Sequence, residues 1–570
     1  MSTDQNNHDY NKRRILLLLL FVVVIALLMS RVVYLQVYNK AFLQDQGTAR
    51  HLRTVSIPAH RGVIMDRHGD ALAISTPVES IWVNPKKLVD QRSALPKLAK
   101  LLKLDLESLE QTVASRMNRE FVYLKRHVNP DLSEKVLALD IEGVFSQREY
   151  RRYYPAGEVV SHVIGFTNID DKGQEGIELA YEDWLKGTSG KKRVIKDRLG
   201  RVIEDVESIQ SSSAGKDLYL SVDRRIQYLA YRELKAAIKL NKARSGSAVM
   251  LDVDSGEVLA IVNQPSYNPN NRRKMRSSQY RNRAVTDVFE PGSTIKPFTI
   301  ATALESKKYT PTTLINTSPG KMKVGQNTIR DHKNYGEINV TGVITKSSNV
   351  GASKIALSLD AEKIWSMFSR IGFGSVTSSG FPGESAGLMS HYSRWHQIER
   401  ATLSFGYGLS VTPLQLAHAY SILASGGISR PVSFIKSDDA VKGEQVLPVK
   451  IAKQVRKMMK TVVSREGTGL LADVHGYQIA GKTGTIHKST AGGYANNRYI
   501  AVFAGMAPAS NPKLVLVVMI NDPSGEQYYG GQVAAPVFSK VMSGALRLMD
   551  IAPDDLPVMQ TQLKNEQGRS

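Results

Sequence analysis

The most informative part of this 570-residue chain reads Phe289-Glu290-Pro291-Gly292-Ser293-Thr294-Ile295-Lys296-Pro297-Phe298. It predicts a turn that leads into a buried helix, because a proline is tolerated in the first helical turn and apolar residues follow it. Ser293 and Lys296 then lie one helical turn apart on the same face. A serine becomes a nucleophile only beside a base, and a lysine whose pKa is lowered by burial and by nearby cations can be that base. The stretch therefore predicts a serine acyl-transfer enzyme that uses no histidine.

The Ser-x-x-Lys spacing is common, so its context carries the argument. The same spacing also begins at Ser189, Ser213, Ser318, Ser433 and Ser510. At the first three of these a glycine or a Pro-Gly pair lies inside the motif, which is typical of turns and polar loops. Ser293 instead opens an apolar helix, where unpaired backbone N–H groups can face a developing oxyanion.

Two further motifs follow in chain order. They are Ser347-Ser348-Asn349 and Lys482-Thr483-Gly484-Thr485. Lys-Thr-Gly occurs once in the chain, whereas Ser-x-Asn also occurs at Ser266, between prolines. Each motif alone is weak evidence, but the order and spacing of the three together indicate one acyl-transfer site.

A rival interpretation concerns the lysine of the last motif. Residues 476–483 match the phosphate-binding pattern G-x-x-x-x-G-K-[ST]. Such a loop needs a helix directly after it, but residues 484–493 hold three glycines and several β-branched residues and are a poor helix. Strand-like runs follow at 499–505 and 514–520. The sequence therefore favours Lys482 on a strand of an antiparallel sheet over a nucleotide-binding loop.

The composition excludes several classes of function. The net charge of +22 suits work near an anionic membrane or polymer, but no basic stripe interleaved with aromatic residues appears, so nucleic acid is not expected as a partner. The chain has no cysteine, which excludes disulfides, Cys-ligated zinc and thiol catalysis. It also lacks the His-Glu-x-x-His motif of zinc proteases. We expect neither a metal nor a cofactor.

The N-terminus predicts a membrane anchor. Lys12-Arg13-Arg14 precedes the apolar run 15–29, which reaches spanning length when it is extended to residue 37. A cleaved signal peptide is the alternative, but no Ala-x-Ala site follows the run. The basic cluster predicts that residues 1–14 are cytoplasmic, that residues 15–37 span the membrane once, and that the rest of the chain is extracytoplasmic.

Residues 40–214 predict a separate module. They alternate short strands with charged helices, including a helical pattern over 95–117. No catalytic constellation appears in them, and the Ser-rich segment 208–215 predicts a linker at their end.

Residues 216–550 predict the catalytic domain. A strand over 218–223 and a helix to residue 240 come first, and a hairpin over 248–253 and 258–262 follows. Because strand-like runs come from both ends of this segment, we expect one sheet packed against helices. The polar residues 551–570 predict a disordered tail.

The motifs together resemble those of class B penicillin-binding proteins. The resemblance rests on the three motifs, on the Phe-Glu-Pro-Gly lead-in, and on Gly406-Tyr407-Gly408-Leu409-Ser410-Val411-Thr412-Pro413-Leu414-Gln415. It extends to the N-terminal module through Arg61-Gly62-x-x-x-Asp66-Arg67-x-Gly69, Tyr154-Pro155-Ala156-Gly157 and Gly176-x-Glu178. It implies an α+β penicillin-binding transpeptidase fold, with an antiparallel sheet packed between helices, preceded by a transmembrane helix and an elongated α+β pedestal of the dimerisation type.

The resemblance also implies roles for individual residues. Ser293 would attack the D-Ala-D-Ala carbonyl of a peptidoglycan stem peptide, Lys296 would take its proton, and Ser347 would relay a proton to the leaving amine. Asn349 would position Lys296 or the substrate amide, and Lys482 would raise the local positive potential. The substrate-binding residues would be Thr483, Gly484, Thr485, Tyr407, Tyr528 and Tyr529. Backbone N–H groups of Ser293 and Thr485 would form the oxyanion hole, and β-lactams would acylate Ser293.

Overall similarity favours a septal, division-type member in the inner membrane of a Gram-negative bacterium, with a periplasmic catalytic domain. The partners implied are the membrane, the lipid II-polymerising glycosyltransferase of the septum and other division proteins. An elongation-type transpeptidase, a D,D-carboxypeptidase and a β-lactamase share the motifs and stay open. A β-lactam-sensing receptor that only acylates is disfavoured, because only about fourteen residues precede the anchor on the inner side.

Overall fold

The computed structural model describes residues 5–43, 52–196, 202–273, 275–490 and 493–555. Their contacts form two compact units, each assembled from separate stretches of chain. The first unit comprises the residues up to His60, Pro77–Tyr150 and Gly187–Ala214. The second comprises Arg61–Thr76, Arg151–Lys186 and the residues from Gly215 onward. From the sequence we expect one domain boundary near residue 215. These domain limits stay a prediction.

The N-terminal helix contains the predicted anchor. It runs over Gln5–Val33 and continues as one π-helical turn, Tyr34–Tyr38. Its stretch Asn11–Tyr38 is long and apolar enough to cross a membrane. The most apolar part of this stretch has a mean hydropathy of 3.0, and none of that part is buried.

Beyond the N-terminal helix, the first unit combines two groups of strands with shorter helices. One antiparallel sheet is formed by Leu52–Ile57, Gly190–Lys196 and Val202–Gln210, in that order. The other strands are Val122–Val128, Val144–Tyr153 and the end of Ala71–Val83. The helices are Pro85–Leu88, Leu95–Leu102, Leu106–Ser115 and Pro130–Leu137.

Two sequence predictions for this unit are wrong in detail. The helical pattern over 95–117 is two helices, because Lys103 adopts a left-handed conformation with φ of 54° and Asp105 starts the second helix by accepting from Ser108 N. The segment predicted as a Ser-rich linker begins inside a strand that ends at Gln210, and Ser213 pairs with Thr188. Polar β-strands of this kind resemble loops in composition, so the pattern misled the prediction.

The second unit is built on a five-stranded antiparallel sheet. Its strands are β1 Ser245–Asp252, β2 Val258–Gln264, β3 Ala480–Thr490, β4 Gly493–Ala507 and β5 Leu514–Asn521. They lie in the order β2-β1-β5-β4-β3, so strands from both ends of the segment meet in one sheet, as predicted. The predicted strand over 218–223 is wrong in extent and partner: only Leu218–Tyr219 is a strand, and it pairs in parallel with Ile64–Met65.

Helices cover both faces of this sheet. Alternate residues of β5 face opposite sides, and both sets are buried because the strand is apolar throughout. Leu514 and Leu516 pack with the helices Arg224–Leu240 and Ala535–Leu548, and Val515 and Val517 pack into the core that contains the helix Pro413–Ala424. This arrangement confirms the predicted antiparallel sheet between helices.

The remaining elements of the second unit surround this core. The longer helices are Lys296–Glu305, Asn349–Leu357, Ala361–Arg370, Gln397–Leu403, Val340–Thr345 and Val449–Lys460. The shorter ones are Ser161–Ile164, Gly176–Ala180, Glu182–Leu185, Arg283–Thr286 and Gly530–Val533. The two-stranded ribbons are Phe166–Thr167 with Gly173–Glu175, Leu314–Asn316 with Glu337–Asn339, Lys321–Val324 with Asn327–Arg330, and Ile428–Ser429 with Glu444–Gln445.

The beginning of the predicted C-terminal tail is packed against this unit. The Tyr477 hydroxyl donates to the Ile551 carbonyl at 2.6 Å, and Gln478 N donates to the Asp554 carboxylate at 2.7 Å. The rest of the predicted tail, 556–570, lies outside the described residues, as do residues 1–4 of the predicted cytoplasmic segment.

A buried ionic cluster lies in the second unit. The Glu178 carboxylate, fully buried, accepts from Arg61 at 2.7 Å and from Arg152 at 2.6 Å. Arg61 also reaches Glu182 at 2.7 Å, and burial raises the pKa of the neighbouring Asp171 to about 6. Arg61 and Glu178, two of the residues that carried the family resemblance in the N-terminal module, are thus joined by a buried ion pair.

Candidate active site

Ser293 lies where a tight turn enters a buried helix. It is in the 3₁₀ turn Gly292–Ile295, which runs directly into the helix Lys296–Glu305 with its proline in the first turn, as the sequence predicts. Gly292 has φ of +53°, and a Cβ there would lie 2.4 Å from Ile486 on β3. Only glycine therefore lets the strand approach the turn that holds the serine.

The side chain of Lys296 is fully buried and reaches the Ser-Ser-Asn motif. Its ammonium nitrogen donates to the Ser347 carbonyl at 2.5 Å, to the Asn349 side-chain oxygen at 2.8 Å and to the Ser347 hydroxyl at 3.2 Å. The predicted base is thereby fixed in one orientation by three oxygen atoms.

The Ser347 hydroxyl joins two lysines. Lys482 Nζ donates to it at 2.9 Å, and Lys296 Nζ donates to the same oxygen at 3.2 Å. Lys482 is also fully buried, and its second contact is the Thr483 carbonyl at 3.1 Å. Ser347 has φ of 60°, a costly conformation for a residue other than glycine. Strain of this kind is characteristic of functional sites.

Burial and mutual repulsion favour the neutral form of these two amines. Burial lowers the pKa of Lys482 to about 7. Burial also holds the pKa of Lys296 well below its ordinary value, and the positive charge of Lys482 lowers it further, against the opposing effect of Asp331. An unprotonated Lys296 is therefore available as a base near neutral pH.

The last motif lies on the edge strand β3. The pairing of Lys482 with Ala504 and of Thr485 with Ala501 on β4 shows that the motif is strand, with no helix after it. This geometry removes the nucleotide-binding alternative, since a phosphate-binding loop needs a helix N-terminus at this point. Gly484 is required for close approach, because a Cβ there would lie 3.0 Å from the Thr294 side chain.

A cavity of about 550 Å³ opens beside these motifs. Its lining includes Ser293, Ser347, Thr483, Thr485, Tyr335 and Tyr529. The Thr485 hydroxyl accepts from Gly530 N at 2.9 Å, and the Thr483 hydroxyl bonds to that of Thr468 at 2.6 Å. The structure thus brings the hydroxyls of Ser293, Ser347, Thr483 and Thr485 to one cleft, with the buried Lys296 and Lys482 behind them.

Comparisons with known proteins agree with this geometry. Residues 246–543 match the penicillin binding protein transpeptidase domain, and residues 56–220 match the penicillin-binding protein dimerisation domain. The chain is 47% identical over 536 residues to the peptidoglycan D,D-transpeptidase FtsI of Escherichia coli K12, which covers 93% of this chain and 91% of that protein. The chain belongs to the class B penicillin-binding proteins.

Other members of the family are similar over all or part of this chain. The probable peptidoglycan D,D-transpeptidase PenA of Neisseria gonorrhoeae is 42% identical over 93% of this chain and 91% of its own. Among solved structures, the transpeptidase domain of penicillin-binding protein 3 from Burkholderia pseudomallei is 42% identical, with a TM-score of 0.55 over 59% of this chain and 98% of that chain. Penicillin-binding protein 3 of Mycobacterium tuberculosis, complexed with aztreonam, is 26% identical, with a TM-score of 0.69 over 88% of this chain and 98% of that chain.

One carboxylate at the site of this penicillin-binding protein, Asp331, was not predicted from the sequence. Asp331 accepts from Asn349 N at 2.5 Å, from Val350 N at 3.0 Å and from the Ser348 hydroxyl at 2.6 Å. It therefore holds the start of the helix Asn349–Leu357 and the motif that leads into it. Asp331 belongs to no motif, and its distance from the Ser-Ser-Asn residues along the chain carries no signal.

The three predicted cleft tyrosines occupy different places. Tyr529 lines the cavity, and its ring lies 6.0 Å from that of His332. Tyr528 stacks between Tyr529 and Tyr499, at ring-centroid distances of 4.5 and 4.1 Å. Tyr407 accepts from the backbone N of a β3 residue at 3.3 Å, and burial raises its pKa. Of the three, only Tyr529 is among the described residues that line the cavity.

The direction of Glu290, three residues before Ser293, is also defined. Its carboxylate accepts from Gly408 N at 2.8 Å and from the Tyr494 hydroxyl at 3.0 Å, and burial raises its pKa. Both bonds go to Oε1, whereas Oε2 of the same carboxylate is buried without a hydrogen-bond partner. Among the described residues, no group of three or more His, Asp or Glu side chains has the arrangement of a metal site.

Proposed function

We propose that this chain is a serine D,D-transpeptidase that cross-links peptidoglycan stem peptides and is acylated covalently by β-lactams. The observation that carries the proposal is the Ser347 hydroxyl held between two buried lysines beside the cavity that Ser293 lines. This arrangement can move a proton between the two amines. It needs no histidine, and none of the three motifs contains one.

The first half-reaction is acylation of Ser293. Neutral Lys296 removes the serine proton while the hydroxyl oxygen attacks the carbonyl carbon of the penultimate D-Ala. The ester bond forms, the peptide bond to the terminal D-Ala breaks, and the proton passes to the leaving amine. The hydrogen bonds from Lys296 and Lys482 to Ser347 support its part as the proton relay, because they form a continuous chain.

The terminal carboxylate of the donor peptide is recognised on β3. Thr483 and Thr485 line the cavity, and Lys482 lies behind them as a buried source of positive potential. Substrate carboxylate would raise the pKa of Lys482, so binding and charge reinforce one another. Backbone N–H groups of Ser293 and Thr485 would stabilise the oxyanion, and losing one such donor typically costs on the order of a hundredfold in rate.

In the second half-reaction an amine of a neighbouring strand takes the acyl group. The amine attacks the ester, its proton returns through Ser347 and Lys296 to the serine oxygen, and a new peptide bond replaces the ester. Glu290, the acid nearest to Ser293 in the sequence, is absent from the cavity lining, which supports transfer to an amine over hydrolysis by a water that this acid would activate.

We further propose a septal role at the inner membrane. Full-length similarity to the relatives named FtsI supports a division-type protein that works with a lipid II-polymerising glycosyltransferase and other division proteins. The basic residues before the apolar helix support a cytoplasmic N-terminus and a periplasmic catalytic domain.

Covalent labelling tests the chemistry. The full chain in detergent is treated with a fluorescent penicillin, and the adduct is located by mass mapping. A stable adduct on Ser293 is expected, Ser293→Ala should lose it, and Ser433→Ala, at another Ser-x-x-Lys site, should keep it. Absence of labelling, rapid hydrolysis of the adduct, or an adduct elsewhere would contradict the proposal.

Topology is testable because the chain has no cysteine. Single cysteines are introduced as Lys450→Cys, on the exposed face of the helix Val449–Lys460, and as Asn7→Cys. A membrane-impermeant thiol reagent applied to cells with a permeable outer envelope should label the first and not the second. The reverse result would overturn the proposed orientation.

A further inference from the structure

The cleft beside Ser293 carries positive charge beyond the three motifs. His332, Lys333 and Arg465 line the same cavity, and Lys333 and Arg465 are exposed there. Among the described lining residues none is an aspartate or a glutamate. Apart from tyrosines, the ionisable side chains in this lining come from two separate segments and are all basic.

The acids that lie next to these cations in sequence are engaged elsewhere. Asp331 precedes His332, but its carboxylate is occupied by the backbone at Asn349 and by the Ser348 hydroxyl. Glu466 follows Arg465, but its carboxylate faces Lys346, at 3.4 Å. Neither carboxylate is in the described lining of the cleft, so no acidic side chain lies beside these cations there.

Two aliphatic side chains line the same cavity. Leu470 and Leu471 line the cavity with 47% and 53% of their surfaces exposed, although both are large aliphatic side chains. Tyr335 also lines the cavity, and Lys333 Nζ lies 5.9 Å from the centre of its ring. A ligand that suits this surface has an aliphatic stem and an anionic end.

We propose that this cleft binds a stem-peptide segment that carries a second free carboxylate, which Arg465 and Lys333 recognise. The inference rests on the proposed transpeptidase function and adds a substrate requirement to it. The terminal D-Ala carboxylate is already accommodated by Thr483 and Thr485, so the second anion belongs to another residue of the donor strand or to the acceptor strand. A guanidinium group suits a carboxylate because it can donate two parallel hydrogen bonds.

Matched peptides test the proposal on the full chain in detergent. One donor ends in a D-Ala thioester and carries a free side-chain carboxylate, and its twin carries the carboxamide. One acceptor is a D-amino acid, and its twin is the corresponding D-amino acid amide. Each pair is compared with the other reactant held constant, so the donor and acceptor sources of the carboxylate are separated.

The native chain should prefer the carboxylate member of one pair by about five- to tenfold in kcat/KM, the size expected for two partly exposed charge contacts. The preference should fall as salt is added. In the double variant Lys333→Gln with Arg465→Gln it should fall to about one. The control Lys450→Gln with Lys453→Gln removes the same charge from an exposed helix and should keep the preference.

If the double variant loses a preference in the donor pair, the cleft is assigned to the donor strand. If it loses a preference in the acceptor pair, the cleft is assigned to the acceptor strand. The proposal is overturned if the native chain shows no preference in either pair, or if the double variant retains it. Labelling of Ser293 by a β-lactam is followed in parallel. If the native chain is labelled but shows no carboxylate preference, only this inference is refuted. If the native chain is not labelled at all, the transpeptidase function itself is refuted.

Discussion

The Lys482 side chain donates a hydrogen bond of 2.9 Å to the Ser347 hydroxyl from a position with no solvent exposure. The same hydroxyl lies 3.2 Å from the nitrogen of a second buried lysine, Lys296. Two ammonium groups that share one hydroxyl in a closed site repel each other, so their titrations are linked. The protonation of this pair therefore controls both the reactivity and the stability of the protein.

The pH dependence of acylation should change in Lys482→Gln. In the native chain the rate should rise as Lys296 loses its proton and fall above about pH 7, where Lys482 loses the charge that attracts the carboxylate. Without Lys482 the pKa of Lys296 should rise, which moves the ascending limb to higher pH and removes the descending limb. The measurement is the second-order rate constant for acylation by a carboxylate-bearing β-lactam. Lys450→Gln serves as the control, and a variant profile that is only scaled down would contradict the linkage.

Thermal stability should increase in Lys482→Met. An unfolded lysine keeps its proton to about pH 10.4, whereas folded Lys482 releases it at about pH 7. Between these values the unfolded state binds more protons, so native stability should rise with pH from about 7 to about 10. Methionine removes the burial cost, so its gain in Tm should be largest below pH 7 and should shrink as the pH rises. A lower Tm for the variant in mildly acidic buffer would contradict this account.

Removal of the Asp331 carboxylate should slow acylation and destabilise the second unit. Asp331→Ala leaves two backbone N–H groups and the Ser348 hydroxyl without their acceptor, which should cost about 1–3 kcal/mol. Displacement of Ser347 and Asn349 should lower the acylation rate about 10- to 100-fold. Asp331→Asn keeps one acceptor oxygen and should fall between. Denaturant unfolding and labelling kinetics measure the two effects, with Asp360→Asn, an exposed residue just before the helix Ala361–Arg370, as the control. Native kinetics in Asp331→Ala would refute the positioning role.

The buried ionic cluster should be sensitive to loss of its central acid. Glu178→Ala removes the carboxylate that Arg152 pairs with and leaves buried Arg61 with Glu182 alone, which should cost about 3–5 kcal/mol of unfolding free energy. Glu207→Ala breaks an exposed pair with Arg193, at 3.2 Å, and should cost less than about 1 kcal/mol. Denaturant unfolding of both variants measures the difference. Equal costs would show that the cluster is not electrostatically important.

Local patterns in the sequence were sufficient for the main elements. The Ser-x-x-Lys spacing reports helix geometry, and the structure has Ser293 and Lys296 across the start of one helix. The apolar runs around β4 and β5 report strands that are buried on both faces, and the glycines after Lys482 argued against a helix there. Such patterns are readable because helices and strands repeat over a few residues.

Composition failed where polar residues form regular structure. The strand Val202–Gln210 is polar and was predicted in part as linker, and one long helical pattern was broken at Lys103. Each error arose because tertiary context overrides local propensity at element ends.

The sequence by itself determined the motifs and their order, the candidate nucleophile that we propose, and the family, because these depend on residue types at short spacings. Only the tertiary structure decided the interleaving of the two units, the capture of the Ser-Ser-Asn motif by Asp331, and the basic lining of the cleft. It also decided the protonation of Lys296 and Lys482. A lysine is cationic wherever water reaches it, and only its enclosure by residues distant along the chain makes the neutral amine accessible.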